Sequence, residues 1–212
     1  QEEAARLGVQ LQLSTGIKTI RPTDSGFSLQ TDQGEVVVSK VIVASGGHPN
    51  LSSYEFLKLL NHKIIKPIPS LFTFNTPQEP IRELMGIAMG DALVKLEGTK
   101  LSYRGPILIT HWGISGPAVL KLSAFGAEWL HEKQYTARAI IQWNAELGEQ
   151  DYVVQLTSYA QIHPNRKVAS NPLFGVPMRL WEHFCTQAAI PEVQLYGQLP
   201  KKMLNKLVQC LF

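Results

Sequence analysis

The sequence has few of the features that mark metal-binding, secreted and membrane proteins. Its only cysteines, Cys185 and Cys210, cannot form a structural zinc site by themselves, so no metal site is predicted. Both are expected to be reduced core residues of a cytoplasmic protein. No apolar run approaches the ~20 residues that span a bilayer, and the N-terminus lacks the basic start and apolar core of a signal peptide. No membrane partner is therefore expected.

Positive charge is present but scattered. The 20 lysines and arginines give a net charge of only +3, and the densest basic spots are Lys201-Lys202 and Arg166-Lys167. Neither spot amounts to the basic patch that a nucleic-acid-binding protein needs, so no nucleic-acid partner is expected. At 44% hydrophobic and 17% charged residues, the chain can bury a core and is expected to fold as one large or two small domains.

The first part of the chain predicts strands followed by a glycine turn. Residues 9–38 read as an antiparallel meander that begins at about Val9. Lys40 to Ala44 is an unbroken β-branched run, which is typical of a strand buried on both faces of a parallel sheet. Ser52 and Glu55 have capping-box spacing, which predicts a helix from about residue 53. The predicted order of elements in this segment is therefore a strand, a glycine turn and a helix.

The rest of the chain predicts a mixed α and β fold in two further parts. Four prolines surround a short predicted strand at Leu71 to Phe74, and this change of composition marks a domain boundary. Two alternating strands joined at Gly98-Thr99 come next, then a helix at 118–130 and a strand at about 135–143. Helical periodicity takes over after Gly148. The predicted divisions are 1–66, a mainly β domain at 67–146, and a helical segment at 147–212.

The stretch Thr-His-Trp-Gly-Ile-Ser-Gly-Pro-Ala, residues 110–118, admits three interpretations. A nucleophile elbow would be G-x-S-x-G, but here the second glycine comes one residue early. In a structural interpretation Ser115 caps a helix, Pro117 lies in its first turn, and Gly113 and Gly116 permit the corner. In a ligand-binding interpretation the N–H groups of the turn and His111 face a bound group. The sequence leaves the last two open.

A second turn, formed by Ala44, Ser45, Gly46 and Gly47, directly follows the predicted buried strand. Glycines at this point let backbone N–H groups approach a ligand without interference from a Cβ atom. The N-terminus of the next helix adds a favourable site for negative charge. The alternative is a tight strand-to-helix connection with no ligand.

Three segments resemble one flavoprotein family when they are taken in order. They are Val-Ile-Val-Ala-Ser-Gly-Gly-His-Pro-Asn, the stretch from Leu59 to Phe74, and the stretch from Gly105 to Ala124. They resemble the YhiN/BaiN-like NAD(P)/FAD-dependent oxidoreductases, which include aminoacetone oxidases. In that family a strand ends in A-T-G-G, and a T-H-x-G-x-S-G-P segment follows later. This chain has Ser45 in place of the threonine and lacks the family's G-S-T-G-D-G segment.

The resemblance implies a flavin-dependent oxidoreductase that uses FAD, with NAD(P)H as a possible reductant and a small-molecule substrate. It implies that Ala44, Ser45, Gly46 and Gly47 line the cofactor, and that Thr110, Gly113, Ser115 and Gly116 line the flavin or substrate cavity. His111 would hydrogen-bond the flavin or substrate or move a proton.

The family opens with a G-x-G-x-x-G fingerprint, which holds the pyrophosphate of FAD, and closes with a second glycine-rich segment. Neither the fingerprint nor the second glycine-rich segment occurs in the 212 residues of this sequence. The chain is therefore expected to be an internal fragment that holds part of the Rossmann-like FAD-binding region, binds no FAD alone, and is inactive without the N- and C-terminal FAD-binding segments. The alternative is a non-enzymatic ligand- or protein-binding domain whose glycine turns are structural.

Overall fold

A computed structural model describes residues 2–212 and divides the chain into two compact units. The N-terminal unit ends at Pro67 and the C-terminal unit is Ile68–Phe212. Together they hold eight strands and seven α-helices among the described residues. The predicted mixed α and β class is confirmed. The Rossmann-like assignment of the first part and the division into three domains stay predictions.

The N-terminal unit contains the predicted antiparallel meander. After a short helix, α1 (Glu2–Arg6), come the strands β1 (Ile17–Thr23), β2 (Gly26–Thr31) and β3 (Gly34–Val38). They pair in the order β1-β2-β3, and each pair is antiparallel. The hydroxyl of Thr31 stabilises the second turn, because it donates to the carbonyl of Gly34 at 2.7 Å and accepts the N–H of Gln33 at 3.1 Å.

The structure corrects three predictions in this unit. Residues 9–16 form no strand, and Lys40 to Ala44 is not a buried strand, because Ile42 is 92% exposed and the run pairs with no other described residue. A strand of a parallel sheet depends on neighbours that are distant in sequence, so an apolar run cannot form it alone. The predicted helix is a 3₁₀ turn at Leu51–Tyr54 followed by α2 (Glu55–Lys58), and Ser52 does not cap it.

The C-terminal unit is built on a five-stranded antiparallel sheet. Its strands are β4 (Phe74–Asn75), β5 (Ala88–Leu96), β6 (Ser102–Ile109), β7 (Gly113–Ser115) and β8 (Ala139–Gln142), in the order β4-β7-β6-β5-β8. The predicted pair of strands around Gly98-Thr99 is confirmed as β5 and β6. The strand predicted at 71–74 is shorter and later than expected. The sheet is a curled half-barrel whose outer strands are β4 and β8.

Helices cover this sheet and complete one core. The helix predicted at 118–130 is present but broken at Gly126 into α3 (Pro117–Phe125) and α4 (Ala127–Glu132). The helical segment contains α5 (Glu149–Ile162), α6 (Met178–Gln187) and α7 (Lys201–Leu211). The apolar residues Leu180, Trp181, Phe184 and Cys185 of α6 are buried, and the indole N–H of Trp181 donates to the carbonyl of Val168 at 2.7 Å. Sheet and helices bury their apolar faces in one cluster.

Ser123 on α3 connects this helix to the chain that leads into β4. Its side chain is fully buried, donates to the carbonyl of Leu120 at 2.8 Å, and accepts the N–H of Phe72 at 2.8 Å. A buried donor that loses its acceptor costs free energy, because no water replaces the lost bond. The position of Phe72 therefore depends on this hydroxyl.

We expect Ser123→Ala to lower the free energy of unfolding by about 1–3 kcal/mol, since the N–H of Phe72 would lose its acceptor. Urea denaturation followed by circular dichroism measures the change. The matched control is Ser158→Ala on the exposed face of α5, which should change stability by less than about 0.5 kcal/mol. Equal effects of the two substitutions would contradict this role for Ser123.

Candidate functional site

The two glycine turns lie in different units. Ala44–Gly47 belongs to the N-terminal unit, whereas Thr110, His111, Gly113, Ser115 and Gly116 belong to the C-terminal unit. The second group is contiguous and forms the connection from β6 through β7 to α3. The sequence-predicted residues of this turn are thus brought together by one short piece of backbone.

A tight hairpin joins β6 to β7. The backbone N–H of Thr110 donates to the carbonyl of Gly113 at 2.7 Å, and the N–H of Gly113 donates back to the carbonyl of Thr110 at 3.3 Å. The buried hydroxyl of Thr110 also donates to the carbonyl of Gly113 at 3.0 Å. These bonds leave His111 and Trp112 as the two residues at the tip. Thr110 therefore shapes the turn.

Gly113 and Gly116 are required by the backbone around them. A Cβ atom on Gly113 would lie 2.1 Å from the carbonyl oxygen of Phe74, and one on Gly116 would lie 2.7 Å from that of Pro106. Their φ angles of +152° and +103° are also unfavourable for residues with side chains. Both glycines thus have a structural purpose.

The structure also corrects the predicted role of Ser115. This residue lies in β7, where it pairs with Leu108, and the residue that precedes α3 as its N-cap is Gly116. Pro117 occupies the first turn of the helix, as expected. Among the described residues the Ser115 hydroxyl makes no hydrogen bond to His111 or to a carboxylate, so the geometry of a nucleophile elbow is not present.

His111 and Trp112 are the residues of this turn that packing does not explain. Both side chains are exposed, Trp112 to 42%, and their rings meet edge to face with centroids 4.2 Å apart. The carbonyl of Trp112 accepts the N–H of Thr76 at 2.9 Å, which fixes the backbone of the tip against the chain after β4. An imidazole and an indole are thus held on a rigid hairpin and can contact a planar ligand.

The turn at Ala44–Gly47 has a different character. All four residues are exposed, Gly46 has a φ of +76°, and a Cβ atom on Gly46 or Gly47 would meet no other atom within 4 Å. The N–H groups of Ser45, Gly46 and Gly47 make no hydrogen bond within residues 2–212. The Tyr54 hydroxyl accepts the N–H of His48 at 2.6 Å, which anchors the end of the turn. Open glycines with free N–H groups fit a phosphate-bearing cofactor such as FAD.

Other reactive groups in the described residues are poorly placed for chemistry. Burial raises the pKa of the Cys185 thiol to about 12 and also raises the pKa of Cys210, so both thiols are protonated near neutral pH. Across residues 2–212, no group of three or more His, Cys, Asp or Glu side chains is arranged to hold a metal ion. No helix within this range is long and apolar enough to cross a membrane.

The C-terminal unit contains a cavity of about 1000 Å³ that is not predicted from the sequence. Residues of both outer strands line it, and α6 and α7 contribute His183, Phe184, Gln187, Gln209 and Cys210. No local motif marks it, because its wall comes from segments that are far apart in sequence, from Pro69 to Cys210. Burial lowers the pKa of His183, so this imidazole is neutral near pH 7.

We expect Gly113→Ala to lower the free energy of unfolding by at least about 2 kcal/mol, because a methyl group would overlap the carbonyl oxygen of Phe74. The matched control is Gly90→Ala in β5, where the added Cβ meets nothing within 4 Å. It should leave stability within about 1 kcal/mol of the parent protein. Denaturant titrations measure both changes. A tolerated Gly113→Ala would show that β4 and β7 do not need this close approach.

Comparison with known proteins gives one family and several relatives. A family model described as "HI0933-like protein barrel and H2TH domain" matches residues 68–211. The ribosomal RNA dihydrouridine synthase of Escherichia coli K12 is 26% identical over 203 residues, which cover 92% of this chain and 48% of that protein. The 3-dehydro-bile acid delta(4,6)-reductase of Clostridium scindens is 23% identical over 216 residues, 98% of this chain and 47% of that protein. The chain therefore spans about half the length of these two relatives.

A second ribosomal RNA dihydrouridine synthase, from Haemophilus influenzae, is 28% identical over 137 residues. That match covers 59% of this chain and 34% of that protein.

Proposed function

This chain belongs to the HI0933-like family, which lies in the FAD-dependent oxidoreductase superfamily, and we propose on that basis that it forms part of a flavin-dependent reductase. The proposed reaction is the reduction of a ring double bond conjugated with a carbonyl group. The exposed His111–Trp112 tip carries the proposal, since Thr110, Gly113 and Gly116 are used in shaping the turn while these two side chains are left free.

The substrate class follows from the names of the relatives. One makes dihydrouridine in ribosomal RNA and another is a bile acid delta(4,6)-reductase. Dihydrouridine is uridine with two hydrogens added across its ring double bond, so both names describe the reduction of an unsaturated ring. A hydride adds to one carbon of the double bond and a proton adds to the other. We propose this reductive direction, with NAD(P)H as the source of electrons, rather than that of an oxidase.

In this proposal FAD, once it has been reduced by NAD(P)H, would supply the hydride. Ala44–Gly47 would bind it through free backbone N–H groups, with the exposed glycines allowing close approach. His111 would hydrogen-bond the substrate carbonyl or hold the proton that is added, which is the common role of imidazole near neutral pH. Trp112 would stack on the planar ring. The 212-residue chain, which lacks a G-x-G-x-x-G fingerprint, is proposed to be inactive by itself.

The first experiment compares two absorption spectra. We expect the protein expressed from its complete reading frame to be yellow and to show the visible bands of a flavin, and the 212-residue chain to be colourless. The physical reason is that the pyrophosphate of FAD rests on the fingerprint turn and its helix N-terminus. A colourless complete protein that takes up no added FAD would refute the proposal and would leave both glycine turns as structural corners.

The second experiment tests His111. We expect His111→Ala in the complete protein to slow at least one half-reaction about 100-fold, since a lost proton donor typically costs this much or more. Stopped-flow absorbance would follow flavin reduction by NADH or NADPH, and then reoxidation by cyclohex-2-enone with molecular oxygen as a second acceptor. The control is His131→Ala, an exposed histidine on α4 that contacts Tyr135. Unchanged rates of both half-reactions would exclude a catalytic role for His111.

A further inference from the structure

The half-barrel of the C-terminal unit has two open edges that border one cavity. Its five strands are all antiparallel, in the order β4-β7-β6-β5-β8, so the outer strands β4 and β8 run in the same direction. Within residues 2–212 these two strands do not pair with each other, and both line the cavity of about 1000 Å³. One additional strand, antiparallel to both, would make six strands and close the sheet.

Hydrogen bonds at both ends of β8 show which of its backbone groups face away from β5. The carbonyl of Arg138 accepts the N–H of Glu97 at 3.0 Å, which pairs the even-numbered residues of β8 with β5. In an antiparallel ladder, the alternate residues direct their N–H and carbonyl groups to the opposite side. Trp143 confirms this alternation, because its N–H donates to the carbonyl of Leu211 at 3.1 Å. The odd-numbered residues of β8 therefore present their backbone at the open edge.

Ala139 and Ile141 are these odd-numbered residues, and their backbone groups have no partner in the described part of the chain. Ala139 is exposed, Ile141 is half-buried, and both line the cavity. The outer strand β4 is similar, since the N–H of Thr76 donates to the carbonyl of Trp112 and the alternate residue Asn75 points away from β7. Two rows of free peptide groups thus border the same space, although backbone groups enclosed by protein are normally paired.

The lining of the cavity specifies the side chains of a segment that lies between these edges. Apolar residues from three strands line it, namely Phe74 on β4, Ile114 on β7 and Ile141 on β8. The charged lining residues Glu79 and Arg138 are both exposed. A strand with apolar residues at alternate positions would fill the space and also pair with both rows of peptide groups. A small molecule carries no such row of alternating donors and acceptors.

We propose that in the complete protein this cavity is filled by an extended strand of the same chain that lies outside these 212 residues. The strand bonds to Asn75, Ala139 and Ile141 and turns alternate apolar side chains inward. The inference rests on the part of the proposed function that makes this chain a piece of a longer protein. Length supports this source, since the shared segment is only 48% and 47% of two relatives. A tethered strand also pairs at a high effective concentration, which a separate partner lacks.

Amide hydrogen exchange, resolved by residue with NMR spectroscopy, tests the pairing. In the 212-residue chain we expect slow exchange at Ile140 and Gln142, which bond to β5, and fast exchange at Ala139 and Ile141. In the complete protein all four amides should exchange slowly, with Ala139 and Ile141 slowed at least about 100-fold by their new hydrogen bonds. The control is Trp143, whose N–H is already bonded and should exchange slowly in both proteins.

Three outcomes would overturn the proposal. Fast exchange at Ala139 and Ile141 in the complete protein would show that no strand pairs with β8. Slow exchange in the 212-residue chain would place the partner within residues 1–212 or in a second copy. Slow exchange in the complete protein that is lost on dilution would identify a separate molecule as the partner.

Thiol labelling of two adjacent residues tests whether the cavity is filled. Ala139 lines the cavity whereas Ile140 does not, and both are exposed in the half-barrel. We expect iodoacetamide to label Ala139→Cys at least about 20-fold more slowly in the complete protein than in the 212-residue chain, because a buried thiol is reached only through local opening. The matched control, Ile140→Cys, should be labelled at the same rate in both. Equal slowing of the two variants, or of neither, would overturn the proposal.

Circular dichroism checks that both cysteine variants fold, and mass spectrometry of peptides locates the labelled thiol. None of these measurements depends on flavin. A colourless complete protein with slow exchange at Ala139 and Ile141 would refute the reductase proposal alone. A yellow complete protein with fast exchange at these residues would overturn only the closing strand.

Discussion

Close contact between backbones at Gly113 and Gly116 is the constraint on which the C-terminal unit depends. The carbonyl oxygens of Phe74 and Pro106 approach so closely that no side chain fits at either glycine. This approach lets the short strand β7 lie between β4 and β6 and lets α3 begin directly after it. A larger residue would separate the strands and displace everything that they position.

The same contacts connect the exposed tip to the cavity. Asn75 pairs with Gly113, and the N–H of Thr76 binds the carbonyl of Trp112, so the wall of the cavity and the His111–Trp112 tip share one piece of sheet. Catalytic groups need this kind of rigid support, since small displacements are costly.

The two glycine turns differ in what they require of their glycines. At Gly113 and Gly116 the surrounding backbone leaves no room, whereas Gly46 and Gly47 face open space. A glycine pair that packing does not demand, with free N–H groups, is the type of turn that can receive a ligand. The apolar run from Lys40 to Ala44, which precedes Gly46 and Gly47, pairs with no other described strand, and the side chain of Ile42 is 92% exposed. The meander differs because its three strands are consecutive in sequence and pair with one another.

By itself the sequence determined the features that depend on local pattern. The meander, the β5–β6 pair, the helical character of the chain after Gly148 and the position of Pro117 follow from periodicity and turn chemistry, which act over a few residues. Only the tertiary structure decided that Lys40 to Ala44 is not a buried strand here, that Ser115 lies in a strand rather than at a cap, and that residues of β4, β8, α6 and α7 line one cavity. Each of these depends on segments far apart in sequence, and local periodicity carries no information about which distant segments meet.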